Sequence, residues 1–141
     1  MMAVKTYNPK DVLIIVGPVI VEGFADGTFV NIARDNPSWN KAIGSDGEGA
    51  RARSNDQGGS VTLTLMQTSA SNPELSALAL LDEQTGDGVV PLLVTDRSGT
   101  SLYEAETAWI EKPADSPFAR EIETREWVIQ TDNLKMLVGD N

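Results

Sequence analysis

The stretch Ile43 to Leu81, IGSDGEGARARSNDQGGSVTLTLMQTSASNPELSALALL, decides the fold because it joins three unlike segments in a fixed order. A polar, glycine-rich loop at residues 44–60 comes first and carries Arg51 and Arg53. A strand with clean apolar and polar alternation follows it, and a short helix follows the strand. A loop of this length inside a small domain is usually functional or disordered. We interpret it as a segment that reaches out to another copy of the same chain.

The overall composition indicates one folded domain over residues 1–141, with 40% hydrophobic and 23% charged residues. The formal net charge of −10 is unusual. It argues against binding to nucleic acid phosphates, which requires lysine and arginine on one face, and against binding to anionic membranes. Solubility is the ordinary explanation of such a charge. The second interpretation is a surface that repels a polyanion.

The chain contains no cysteine and no histidine, which removes disulfides, thiolate zinc sites and Ser-His-Asp triads together. Glu104 with Glu106, and Glu121 with Glu123, could in principle form a glycosidase pair, but alternating surface glutamates are far commoner. The segment Ser45 to Asp56 lacks the ligand order of a calcium-binding loop. A Ser-Lys catalytic pair stays open on composition alone. We expect no enzyme, no metal and no cofactor, in a soluble protein made in a cytoplasm.

The first part of the chain predicts two strands and a hairpin. Val12 to Val21 is an apolar run that suggests a strand buried on both faces, and Gly17-Pro18 predicts a bulge or break in it. Asp26-Gly27 is a strong hairpin turn signal, with a return strand from Thr28 to Arg34.

One helix is predicted at about residues 73–84. Asn72 is the favoured N-cap because proline suits the first helical position, and Ser71 with Glu74 offers a capping box one residue earlier. Leu75, Leu78 and Leu81 form the apolar stripe, with Ala79 beside them.

The remaining segments predict strands at residues 89–95, 101–111, 120–131 and 134–138, with Asp96 to Gly99 as a turn. The resulting fold class is mainly β. We expect a small β-barrel or sandwich of six to seven antiparallel strands, one flanking helix and the long 44–60 loop.

This order of elements resembles the tail tube protein family of contractile-tailed bacteriophages, which is related in architecture to bacteriocin and type VI secretion tubes. The resemblance runs through most of the chain. It rests on DGTFV at residues 26–30, IARD at 32–35, Trp39, Arg51 and Arg53, GSVTLTL at 59–65, Thr68-Ser69, Asn72 and LSAL at 75–78.

The resemblance implies a structural protein of the virion tail, assembled in the host cytoplasm. Six copies would form a ring, and rings would stack into a hollow tube that conducts DNA during ejection. The implied partners are further copies of the chain, the tail sheath, and baseplate or terminator proteins, with no membrane. Genomic DNA would pass without specific binding, since a carboxylate-lined lumen offers it no cation.

Two sets of residues are predicted to matter for such a tube. The inter-subunit loop residues are Asp46, Glu48, Arg51, Arg53 and Asp56, and the candidate lumen acids are Glu22, Asp26, Glu123 and Glu126. The competing hypotheses are a tube of a contractile bacteriocin or secretion machine, a non-phage β-sandwich binding module, and a small carboxylate enzyme.

Overall fold

The computed structural model describes residues 4–141 and is mainly antiparallel β-structure with one α-helix. It contains ten strands, because β2 and the β4–β5 pair add to the seven expected. In chain order the elements are β1 (Val12–Val16), β2 (Val19–Ile20), β3 (Val30–Arg34), β4 (Trp39–Ile43), β5 (Gly49–Arg53), β6 (Gly59–Met66), α1 (Ser71–Thr85), β7 (Val90–Asp96), β8 (Leu102–Ile110), β9 (Thr124–Thr131) and β10 (Lys135–Leu137).

Eight strands form one sheet in the order β2-β1-β7-β8-β9-β6-β3, with β10 paired to β8, while β4 and β5 form a separate two-stranded sheet. The large sheet has two parts that join over a short stretch, where Ala108 to Ile110 pair with Ile129 to Thr131. Buried side chains from both parts form one hydrophobic cluster. The sheet is not closed into a barrel, and the sandwich is the description that fits.

The predicted strand after the glycine-rich segment is β6, and its alternation is confirmed. Val61, Leu63 and Leu65 are fully buried. The threonines between them lie on the opposite face, which is half-buried. β9 pairs with β6 along its whole length and places Trp127 opposite Leu63. This pair contributes one wall of the core, since residues at alternate positions share a face.

The break predicted at Gly17-Pro18 is confirmed as a tight turn, with Gly17 at φ 57° and Val16 paired with Val19. The run is not buried on both faces, because only Ile14 and Val16 within β1 are buried. β1 pairs with β7 on its other side.

The hairpin predicted at Asp26-Gly27 is wrong, although the turn itself exists with Gly27 at φ 87°. Both flanks lie along the same edge of β6, where Phe24 bridges Leu65 and Val30 pairs with Leu63. Pairing with β6 lets the apolar side chains on both flanks pack against the core. A local turn signal was therefore overridden by tertiary burial.

The helix is confirmed and extends slightly beyond the predicted range. Its cap is not the predicted one, because Ala70 occupies the N-cap position without a side-chain hydrogen bond. Asn72 instead donates to the main-chain oxygens of Met66 and Gln67 and accepts from Trp127 Nε1. The helix ends at Gly86, which has the left-handed conformation expected there.

The buried apolar residues of α1 are Leu75, Leu78 and Ala79, and Leu81 is exposed, contrary to the predicted stripe. Residues at i, i+3, i+4 and i+7 share a helix face, so the position that continues this face is Asp82 rather than Leu81. Asp82 accepts a hydrogen bond from the Gly88 main chain.

The C-terminal strands agree with the prediction except at one boundary. β9 begins at Thr124 rather than Arg120, because β6 ends at Met66 and offers residues 120–123 no further ladder partner. Glu121 and Glu123 therefore precede the strand and do not share a strand face.

The prediction of a long loop at residues 44–60 is also wrong. Residues 49–53 form β5, which pairs with β4 in an antiparallel hairpin, and only residues 44–48 form its turn. We call residues 39–53 the projecting hairpin.

Candidate assembly surface

The projecting hairpin stands apart from the sheet, and all ten residues of its two strands are exposed. Its turn is well defined. The Gly44 main chain donates to Glu48 at 2.8 Å, and Gly47 donates back to Gly44 at 2.9 Å with φ 86° at Gly47. A two-stranded hairpin with no packed face is marginally stable in isolation. Because all the side chains of the two strands are exposed, they are available to contact another molecule.

The two faces of the hairpin differ in charge and size. Trp39 pairs with Arg53 and Lys41 pairs with Arg51, and directly paired residues share a face. The opposite face carries only Asn40, Ala42, Ala50 and Ala52. One face is thus cationic and aromatic, whereas the other is small and uncharged.

Arg51 stacks on Trp39, with the guanidinium carbon 3.7 Å from the ring centroid. Among residues 4–141, none of the three hairpin cations has a carboxylate within salt-bridge distance. The ion pairs there lie elsewhere, between Lys5 and Asp140, Lys112 and Asp115, and Lys135 and Glu104. On a chain of net charge −10, this face is an unneutralised cationic patch.

The predicted acids of this region have other positions. Asp46 accepts from the Glu48 main chain at 3.0 Å and fixes the turn, while Glu48 lies exposed at the tip. Asp56 accepts from Asn36 at 2.6 Å and from the Gly58 main chain at 3.0 Å. These bonds hold Asp46 in the turn of the hairpin and Asp56 in the segment between the hairpin and β6, whereas Arg51 and Arg53 lie on the cationic face.

The base of the hairpin is anchored to the body by residues that the sequence analysis missed. Arg34 donates through Nη1 to the Ser38 hydroxyl at 3.4 Å and through Nε and Nη2 to the Leu134 carbonyl oxygen at 3.0 and 2.7 Å, so it links the base to the body. The Ser54 main chain donates to the Ser38 carbonyl oxygen at 2.8 Å and closes the base itself. Lys41 and the stacked Trp39 were also missed as members of the cationic face. The alternation of alanine and arginine at residues 50–53 was a period-two signal for this strand.

The four candidate lumen acids lie at different positions on β9 and along the edge and end of β6. Glu126 lies on the outer face of β9, opposite Thr64. Glu123 and Glu22 lie near the end of β6, because the Glu123 and Gly23 carbonyl oxygens accept from Gln67 and Met66. Asp26 lies in the turn and accepts from the Gly27 main chain at 3.0 Å. The structure brings Glu22 and Glu123 toward one end of the molecule and leaves Glu126 on its flank.

Within residues 4–141, no cluster of three or more acidic side chains could hold a metal ion. Glu104, one of the glutamates that could form a catalytic pair, makes an exposed ion pair with Lys135 at 3.5 Å. None of the helices in the described part of the chain is long and apolar enough to cross a membrane.

One carboxylate has a shifted pKa. Thr100 donates to Asp140 through its hydroxyl at 2.6 Å, and Lys5 donates at 3.2 Å. These hydrogen bonds, with the charge of Lys5, lower the pKa of Asp140 from 3.8 to about 2. The group is exposed and joins the two ends of the described chain.

Solved structures with this fold come from contractile injection machines. The extracellular contractile injection system PVC provides a sheath/tube terminator in the extended state, with TM-score 0.65 and 14% identity over 97% of this chain and 100% of that one. Its sheath-tube complex in the extended state gives TM-score 0.58 and 13% identity over 94% and 91%. The anti-feeding prophage cap, which terminates the AFP tube, gives TM-score 0.59 and 15% identity over 97% and 95%. The fold is therefore that of injection-machine tube and terminator proteins.

Sequence comparison identifies the family within this class of injection-machine proteins. Residues 18–139 match the family model of the bacteriophage PhiTE tail tube protein. The chain is also 30% identical over 145 residues to structural protein ORF10 of Pseudomonas phage KPP10, covering 97% of this chain and 84% of that protein. The chain belongs to the phage tail tube family, and its role is structural rather than enzymatic.

Proposed function

We propose that copies of this chain form hexameric rings that stack into a hollow tube, through which DNA passes during ejection. The observation that carries this proposal is the projecting hairpin, an ordered element with no packed face in a member of the tail tube family. Its cationic face supplies an attraction to the acidic surface that every other copy carries.

The uncovered edge of the sheet gives a physical reason for ring closure. β3 bonds β6 along one side, and among the described residues no strand covers its other side. An uncovered edge is a template for pairing with another chain. A cyclic arrangement removes such edges by pairing each copy with the next.

In such a tube the hairpin cations would bind an adjacent copy. Arg51 and Arg53 would pair with carboxylates of an adjacent subunit, with Lys41 on the same face. Asp46 and Asp56 would keep the hairpin in the geometry that presents them, and Glu48 would lie at the tip of the contact.

Replacement of the hairpin tests this assignment. Ser54 donates to Ser38, and hydrogen-bonded pairs alternate along an antiparallel ladder, so Asn40 and Ala52 form the next such pair. An Asn-Gly turn substituted for residues 41–51 therefore closes the strands with the geometry of a two-residue hairpin. Deleting Asp46 to Gly58 is a poorer test, because it removes the buried Gly58 and leaves β4 unpaired.

The replaced chain is expected to keep its fold, since shortening an exposed segment changes closure entropy by only about 1 kcal/mol. Urea unfolding should show this, while negative-stain microscopy should show no tubes. An insertion of Asn-Gly between Gly86 and Asp87, in the exposed turn after α1, is the matched control and should leave tubes intact. Tubes of normal length from the hairpin-replaced chain would overturn the role.

We expect the bore to be walled by residues 22–34, β6 and β9, and to be negative. The acids Glu22, Asp26, Glu123 and Glu126 are the candidates for this wall. Changing them to lysine should leave rings intact and slow DNA ejection, because each added cation offers a phosphate contact. Ejection at the normal rate from virions carrying these changes would remove the electrostatic part of the proposal.

The solved relatives support partners of the same kind. A sheath around the tube and a terminator at its end, with a baseplate at the other, would complete a virion tail assembled in the host cytoplasm. A bacteriocin or secretion tube is the second candidate, since the matched structures belong to an extracellular injection system and an anti-feeding prophage. Particles purified with this protein should contain nuclease-protected DNA in the first case and none in the second.

A further inference from the structure

Arg125 lies on the core-facing side of β9, in the same alternating row as Trp127 and Ile129, and is 6% exposed. Its Nη1 donates to the Thr124 carbonyl oxygen at 3.0 Å, and its guanidinium carbon lies 5.2 Å from the centroid of the Phe118 ring. No ion pair involving Arg125 occurs within residues 4–141. A buried charge without a counter-charge is costly, so this guanidinium calls for an anion.

The guanidinium faces a pocket of about 340 Å³ at the place where β8 and β9 diverge. The wall opposite the strand is the first part of α1, through Asn72 and Ser76, and the loop carrying Ser116 and Phe118 forms the rim. The start of a helix carries partial positive charge, which adds to that of the arginine. The pocket is therefore open to an anion and positively polarised from two sides.

The donors left in the pocket suit a carboxylate. Asn72 is fully used by Met66, Gln67 and Trp127, but Arg125 uses only one of its five N–H groups on a described partner. Gln67 accepts through its amide oxygen from Glu123, which leaves its amide N–H groups available. A guanidinium fork binds a planar carboxylate through two parallel bonds.

We propose that this pocket, centred on Arg125, binds a side-chain carboxylate from a second copy of this chain. The inference rests on the proposed self-assembly. Each copy has 21 acidic and only 11 basic residues, and the three ion pairs among described residues leave most carboxylates without a cation. Phe118, which is 80% exposed at the rim, supplies the apolar contact that excludes water around such a pair.

Assembly of a charge-removed variant is the first test. Arg125→Met keeps length and apolar contact, and its thermal midpoint should equal or exceed that of the native chain because an unpaired buried charge is removed. The subunit concentration at which tubes first form should rise about tenfold or more, since a charge-assisted pair is lost. Arg120→Met removes an exposed arginine five residues earlier and should change neither quantity. Unaltered assembly by a folded Arg125→Met chain would overturn the proposal.

Anion binding by the isolated subunit is the second test. Acetate, added at constant ionic strength against chloride, should shift the NMR signals of Arg125 Nε–H and Trp127 Nε1–H in a saturable way. The signal of Arg120 should not move, and the shifts should vanish in Arg125→Met. Absence of a specific acetate effect at Arg125 would refute the carboxylate pocket.

The two readouts separate this inference from the proposed function. Acetate binding by a native chain that forms no rings or tubes would support the pocket and reject the tube. Acetate binding with normal assembly of Arg125→Met would assign the carboxylate to a different protein and reject the second copy as its source.

Discussion

The β6–β9 pair and the projecting hairpin are both regular antiparallel ladders, yet their side chains are in opposite situations. In β6 and β9, alternate residues are buried against a single core, as Leu63 opposite Trp127 illustrates. In the hairpin every residue is exposed on both faces. The first ladder is stabilised by the packing of its own chain. The second keeps its side chains exposed, as the proposed contact with another subunit requires.

The largest expected effect tests the body of the molecule. In the hairpin-replaced background, which separates folding from assembly, Leu63→Ala should lower the free energy of unfolding by about 2–5 kcal/mol, since it creates a cavity in the core. Urea unfolding measures this value. Ile43→Ala in the full-length chain, at an exposed hairpin position, should cost well under ~1 kcal/mol. Similar costs at the two sites would remove the distinction between the ladders.

A second prediction sharpens the role of the hairpin. Reversing both charges with Arg51→Glu and Arg53→Glu should leave unfolding nearly unchanged and raise the concentration needed for assembly about tenfold, as expected for losing two exposed ion pairs. The effect should grow at low salt, because the Debye length reaches about 30 Å at 0.01 M.

The matched control for that experiment is Lys10→Glu with Arg120→Glu, which changes net charge equally at exposed sites outside the hairpin that make no ion pair among the described residues. Assembly that ignores salt in the arginine variant, or an equal loss in the control, would argue against direct pairing by the hairpin.

The smallest effect concerns Asp140. Its pKa in the folded chain, about 2, lies below the ordinary value of 3.8, so its contribution to stability is present above pH 3.8 and is lost as the pH falls toward 2. The amide signal of Thr100, which donates to Asp140 at 3.0 Å, should shift over this window. Asp140→Asn should abolish that shift, and a Thr100 signal that titrates unchanged in this variant would show that another group is responsible.

The elements that could be predicted from the sequence are those whose local pattern agrees with their burial. β6 alternates apolar and polar residues and packs one face, and α1 carries a left-handed glycine at its end. The turn from Asp96 to Gly99 also connects β7 and β8 as predicted. In each case short-range signals and the core demand the same structure.

The hairpin and the segment at residues 23–34 could not be predicted, because in both places the local sequence pattern and the tertiary pairing favour different structures. In β4 and β5 alternation separates large charged residues from alanine rather than apolar from polar residues, so the pattern looks like a loop. At Asp26-Gly27 the turn is real, but its flanks pair with β6 rather than with each other. The Arg125 pocket depends on loop 111–123 meeting α1, which no local pattern encodes.

The register of β6 and β9 also has a kinetic consequence. Gly59 pairs with Thr131 and Met66 with Thr124, so forming this ladder closes a long loop made of residues 67–123. Non-local pairing of this kind slows folding, whereas a hairpin closes in about 1–10 μs. The projecting hairpin can therefore form transiently long before the body that carries it. A newly made copy would then present the cationic face of the hairpin to acidic neighbours before its own sheet is complete. Rapid completion of the β6–β9 ladder would limit such premature association.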